Sequence, residues 1–173
     1  PIQAVGPDGK PLPGKPLGES QAAAVNYANR MVESHKILTD LEDALSGRAV
    51  AGQGAVAGAS KIWGVGGVLG AIGNTLLTAD QQKFDQAKRD FVNAVLRKES
   101  GAAISDSEFA SADRQYFRQP GDSDEVIEQK RLNRQRAIAG IASGAGSKQA
   151  EILRSLGEAE FERRKRSQTG GQA

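Results

Sequence analysis

A helix-opening signal stands ahead of apolar-periodic runs from residue 78 onward. A residue with a short side-chain acceptor is followed three positions on by Gln or Glu, at Thr78 and Gln81, Ser105 and Glu108, and Asp122 and Glu125. Reciprocal hydrogen bonding within such a pair satisfies amide donors that the first helical turn leaves open, so each pair predicts a helix start. Between these starts the apolar residues recur at spacings of three and four. Phe84, Ala87, Phe91, Ala94 and Val95 share one face with Lys98, and Phe109, Ala112 and Tyr116 share another. A third stripe holds Ile127, Ile138 and Ile141 with Arg131 and Arg134 in line. No run alternates apolar and polar residues as a half-buried strand does. The expected fold class is all-α: an elongated multi-helix chain, ordered largely by assembly.

The remaining segments follow from the same reasoning. Residues 1–18 carry five of the six prolines and four glycines, which predicts an extended Pro/Gly-rich arm. Ala24, Tyr27, Ala28, Met31, Leu38, Leu41 and Leu45 form a helical stripe, so a helix is expected over 19–47 with Gly47 ending it. Residues 48–77 read as a Gly/Ala-rich apolar joint, 78–166 as a helical domain and 167–173 as a flexible tail. Within the helical domain Pro120 and Gly121 mark a turn, Asp122 is expected to cap the helix that follows, and Ser147 to cap the last one.

Composition narrows the chemistry. Aromatic residues make up only 5% of the 173 residues, which favours helices packed on each other or on partners over a thick globular core. There is no cysteine, so disulfide, thiol and cysteine-based zinc chemistry are excluded. The single histidine, His35, sits between Ser34 and Lys36, one position off the apolar stripe, and reads as a surface or contact residue rather than a ligand. No loop is patterned for a cation; no metal and no cofactor are expected. The formal charge of +2 does not by itself point to nucleic acid. The start lacks the basic-then-apolar order of a signal peptide, and Pro1 reads either as the residue left by initiator-Met removal or as the start of a cut piece.

Three stretches carry functional readings. In the joint, the uncharged run from Ile62 to Ile72 is 11 residues long, short of the roughly 20 needed to span a bilayer. It reads either as a linker or as a surface for membrane or hydrophobic contact through Ile62, Trp63, Val65, Val68, Leu69 and Ile72, with Trp63 as anchor. The basic runs supply Lys130, Arg131, Arg134, Arg136, Arg163, Arg164, Lys165 and Arg166, which either face DNA phosphates or line solvated helix faces. The apolar stripes offer Phe84, Phe91, Val95, Phe109, Tyr116, Ile127 and Ile138 as a subunit-contact face.

The triplet Glu99-Ser100-Gly101 raises an enzymatic alternative, because lytic transglycosylases carry a catalytic Glu-Ser pair at a helix end. The segment that should follow in such an enzyme is replaced here by Ala-Ala-Ile-Ser-Asp-Ser-Glu-Phe, and a helix end with Gly101 beyond it accounts for the triplet. No catalytic residue is proposed.

The stretch from Phe84 to Ile138 resembles a segment recurring in virion proteins of tailed bacteriophages, of the DNA-injection or internal virion protein type. The resemblance rests on RKESGAAIS at 97–105, QYFRQPGDS at 115–123 and the K-x-x-N-R element at 130–134, with ANRMVESHKILTDLE at 28–42 upstream. Arg118 departs from the pattern, where Pro is frequent. The likeness implies a structural protein in the virion, at the portal or tail or inside the capsid, that assists DNA ejection as a homo-oligomer lining a conduit. It implies other virion proteins (portal, tail or other ejection proteins), DNA phosphates and the host envelope membrane as partners, and residence in the host envelope after ejection. The rival readings are a fixed head–tail neck or tail adaptor, and a transglycosylase-like enzyme using Glu99.

Overall fold

The computed structural model describes residues 16–50, 79–100, 104–119 and 121–169. The arm up to residue 15, the joint from 51, including Ile62, Trp63, Val65, Val68, Leu69 and Ile72, and the last residues of the tail lie outside the described residues, as does Thr78 of the first expected capping pair. The described residues form an all-α, multi-helix fold and contain no strand. In chain order the helices are α1 (Glu19–Val50), α2 (Ala79–Ser100), α3 (Asp106–Tyr116), α4 (Asp124–Ala142) and α5 (Gln149–Thr169). A six-residue 3₁₀ segment, Ser143–Lys148, joins α4 to α5.

α1 is the spine, packing against α2, α4, the 3₁₀ segment and α5. Its inner face is built from Ala24, Ala28, Met31 and Leu38, all fully buried. The two alanines let neighbours come close; a Cβ on Gly144 would lie 3.4 Å from that of Ala24. Against this face α2 lays Phe84, Ala87, Phe91, Val92, Ala94 and Val95, which continue into the same core with Ile138, Ile141, Ile152 and Leu156. Phe91 meets Tyr116 at 5.4 Å and Phe117 edge-on at 5.8 Å between ring centroids. Burying a ring fully, as for Phe91 and Phe117, contributes about 1.5–3 kcal/mol. Lys88 lies 5.6 Å from the ring centroids of both Phe84 and Phe117 while its ammonium pairs with Asp113, which ties α2 to α3. Arg30 pairs with Asp90, and Ser34 donates to the same carboxylate at 3.2 Å, which ties α1 to α2.

Three boundaries differ from the sequence expectation. α1 passes through Gly47 to Val50 instead of ending there; one glycine costs a helix about 1 kcal/mol, which does not compel a stop. α4 is capped by Ser123, whose Oγ accepts from the Val126 amide at 3.4 Å, not by Asp122. The Asp122 carboxylate closes the turn before it, accepting from the Gln119 amide at 2.7 Å and from Lys130 at 2.6 Å. Before α5, Ser147 lies inside the 3₁₀ segment, where the chain kinks at Gly146 with φ of 58°. The Ser105–Glu108 capping box forms as expected, with the Glu108 amide donating to Ser105 Oγ at 3.3 Å and the Ser105 amide donating to Glu108 Oε2 at 2.9 Å.

Candidate functional site: a buried ionic junction

Where α1, α4 and α5 meet, the interior is charged. His35, Thr39 and Glu42 occupy one face of α1 by their spacing of four and three, and Arg131 and Arg134 sit on the facing stripe of α4. From α5, Glu160 and Arg163 follow Leu156 on the inward face at the same spacing.

Arg134 is 0% exposed and is the largest fully buried side chain among the described residues. A guanidinium has five N–H donors, and here each finds an acceptor. Nη2 donates to Glu42 Oε2 at 2.7 Å and Thr39 Oγ1 at 3.4 Å. Nη1 donates to Glu42 Oε1 at 3.1 Å and to the Tyr116 carbonyl at 2.6 Å. Nε donates to His35 Nδ1 at 3.2 Å. The Tyr116 carbonyl closes α3, so the cation also meets the negative end of that helix.

Arg131, 5% exposed, gathers three carboxylates: Glu42 at 3.3 Å, Asp43 at 2.8 Å and Glu128 at 3.0 Å. Burial works against its charge, and the three carboxylates outweigh burial and raise its pKa. His35 Nε2 lies 2.7 Å from Glu160 Oε1, and Arg163 Nε donates to Glu160 Oε2 at 3.2 Å. Arg163 also lies 3.6 Å from Glu128 and 3.9 Å from Asp43, which closes the junction between α4, α5 and α1. Burial would raise the Glu160 carboxyl; the hydrogen bond from His35, then the charge of that ring once it is protonated, then Arg163 overcome burial and bring the group to about 2. For His35, burial dominates and lowers the pKa, Arg134 adds to that, and the Glu160 and Glu42 carboxylates oppose it without prevailing.

This arrangement corrects several expectations. Arg131 and Arg134 do not face DNA, because they lie inside the bundle and their donors are taken by the chain's own acceptors. Lys130 is held against Asp122, and Arg163 points into the junction. Arg136, Arg164, Lys165 and Arg166 remain exposed, Arg166 paired with Asp40 across to α1. Of the two readings of His35, surface or contact residue, the structure gives the second: it is 1% exposed and bonded to Glu160 and Arg134. The face expected to meet other subunits is packed within the chain: Phe84, Phe91, Val95, Ile127 and Ile138 are buried, and Phe109 and Tyr116 pack partly buried against the core.

Glu42, Asp43, Glu128 and Glu160 were not singled out by the sequence reading. The signal for them was periodicity: Glu42 falls seven residues after His35, and Arg131 and Arg134 share a stripe with three isoleucines.

Chemically, the junction joins α1, α4 and α5 through charge-assisted hydrogen bonds. The Glu42 carboxylate faces two guanidiniums. No group of three His, Asp or Glu side chains is placed to hold a metal among the described residues. Open clefts also lie elsewhere among the described residues, two of them as follows. One, of about 510 Å³, is bordered by Val95, Tyr116, Asn133, Arg136 and Ile141. The other, of about 770 Å³, is bordered by Arg89, Asn93, Phe109, Asp113 and Arg114. Glu99 belongs to the last turn of α2. No described helix is long and apolar enough to cross a membrane. Comparison of the chain with protein-family models, curated proteins and solved structures finds no match.

Proposed function

We propose that this chain is a structural protein of a tailed-phage particle that assists DNA ejection, acting by assembly in several copies at the portal or tail. The observation that carries the reading is where the elements of resemblance lie. Arg134 of K-x-x-N-R bonds Glu42, Thr39 and His35 of ANRMVESHKILTDLE and the Tyr116 carbonyl of QYFRQPGDS. Lys130 and Asn133 of the same element reach Asp122 and the Gln115 carbonyl of QYFRQPGDS at 2.6 and 3.5 Å. Stretches that resemble virion proteins separately in sequence thus converge on one junction, as expected if they specify one shared helical unit.

In this reading the bundle is the rigid part of each copy. Of the basic side chains expected to meet DNA phosphates, Arg136, Arg164, Lys165 and Arg166 are exposed, Arg166 alongside its pairing with Asp40. The partners are portal, tail or other ejection proteins, with the host envelope as the destination. Quantitative peptide mass spectrometry on purified particles, before and after triggered DNA release, tests it. The chain is expected in full particles and depleted from emptied ones. Retention in emptied particles makes it a fixed neck or tail adaptor, and absence from both sinks the virion assignment.

A further inference from the structure

We propose that His35 is a proton-operated latch, whose neutral ring joins α1 to α4 and α5 at once and whose protonation breaks the α4 connection. The geometry assigns the tautomer. Arg134 Nε always carries a hydrogen and lies 3.2 Å from His35 Nδ1, so Nδ1 presents its lone pair. The ring proton therefore sits on Nε2 and is donated to Glu160 Oε1 at 2.7 Å. A second proton has only Nδ1 to occupy, where two N–H groups then oppose each other beside a fixed positive charge. The ring is 1% exposed, so it reaches water only if the helices part.

The surrounding carboxylates favour the second proton without outweighing burial and Arg134. On α1, Glu42 is held by both oxygens to Arg134 and shared with Arg131. On α5, Glu160 already receives the Nε2 proton and the Arg163 guanidinium. On the α2 side, Asp90 is taken by Arg30 and by Ser34, the neighbour of His35. Protonation thus costs the Arg134 contact, and the charge it gains against Glu160, which already holds the Nε2 proton, does not outweigh that cost. The direction agrees with burial and Arg134 lowering the His35 pKa below its ordinary value of 6.5. A group neutral when folded and protonated when unfolded stabilises the fold above its unfolded pKa, and that stability is lost as pH falls through 6.5 towards the lower folded value. The latch belongs to the bundle and stands whether or not the chain is a virion protein.

Because the chain has one histidine, its signals need no assignment. Nitrogen-15 NMR of the whole protein, with urea titrations between roughly pH 7 and 5, reads the latch directly. Expected are a neutral ring protonated on Nε2, and a folded-to-unfolded ratio that falls below pH 6.5 with a slope approaching tenfold per pH unit. His35→Gln keeps a donor towards Glu160 and gains no proton, so its stability should be flat across that window. A ring that titrates in place at its ordinary value with stability unchanged, a proton found on Nδ1 at neutral pH, or a His35→Gln protein with the wild-type pH slope overturns the proposal. If His35→Gln fails to fold, the wild-type ring shifts and pH slope decide alone.

Discussion

Glu42 accepts from two buried guanidiniums, and removing either side of this contact should have unequal consequences. Breaking a buried ion pair by deleting one partner costs about 3–5 kcal/mol, because the survivor stays charged out of water. Arg134→Met leaves Glu42 with Arg131 at 3.3 Å, so it should fall near the lower end, about 3 kcal/mol. Glu42→Met leaves Arg134, fully buried, with only the neutral acceptors Thr39, His35 and the Tyr116 carbonyl. Arg131 retains Asp43 and Glu128, but the shared carboxylate between the two cations is gone. That change should approach about 5 kcal/mol, a large part of the roughly 5–15 kcal/mol total stability of a small domain.

The double variant removes both charges, and its loss should be smaller than the sum of the singles by about 1–3 kcal/mol. Urea unfolding followed by circular dichroism at 25 °C supplies the three differences, provided the m-values agree. Single losses under about 1 kcal/mol, the size of an exposed pair, would show that the junction is solvated in practice. Additive losses would show that Glu42 and Arg134 do not act on each other. Either result refutes the reasoning.

Other outcomes follow from particular contacts. The Glu160 carboxyl is held below its ordinary 4.5, with the His35 hydrogen bond and Arg163 outweighing burial, so its contribution is present above pH 4.5 and lost as pH falls below it; Glu160→Gln should remove that acid transition in a pH-dependent melt. Gly146→Ala places a Cβ 2.5 Å from Gln21 Nε2 at φ of 58° and should cost about 1–3 kcal/mol, and adding Gln21→Ala should recover the steric part but not the backbone part in calorimetry. Ser105→Ala and Ser123→Ala each remove an N-cap acceptor and should lower stability by about 1 kcal/mol, with the larger loss at Ser105, where the Glu108 side chain completes the box. Charge reversal at Arg164 and Lys165 should weaken binding to duplex DNA and flatten its salt dependence, whereas unchanged binding in a salt titration rules out this end of α5 as the DNA surface.

The helical class and most helix starts were legible because local patterns determine them. Ser105 and Glu108 form the box that their spacing announces. Asp122 and Ser123 can each accept from a first-turn amide, so local pattern does not choose between them; Lys130, eight residues along, holds Asp122 in the turn and leaves the cap to Ser123. The junction was half visible. Arg131 and Arg134 lay on the isoleucine stripe, yet a charged residue is read as exposed until a partner is known. That partner, Glu42, is 92 positions from Arg134, and His35 meets Glu160 across 125. No local pattern encodes such pairings. The run from Arg163 to Arg166 divides by helix geometry: Arg163 turns inward to Glu160, while Arg164 and Lys165 stand in solvent.

The order in which these partners are made has its own consequence. During synthesis α1 emerges early, carrying His35 and Glu42, but Arg134 follows 92 residues after Glu42 and Glu160 follows 125 after His35. A nascent chain translated at roughly 5–20 residues per second therefore holds an unpaired polar stripe on its first helix for several seconds. α2, α3 and α4 are near neighbours in sequence and close with short loops, whereas docking α5 onto α1 closes the longest one. A ribosome stalled before Glu160 should display a chain that is helical and protease-sensitive, and release of the complete α5 should convert it to a resistant one.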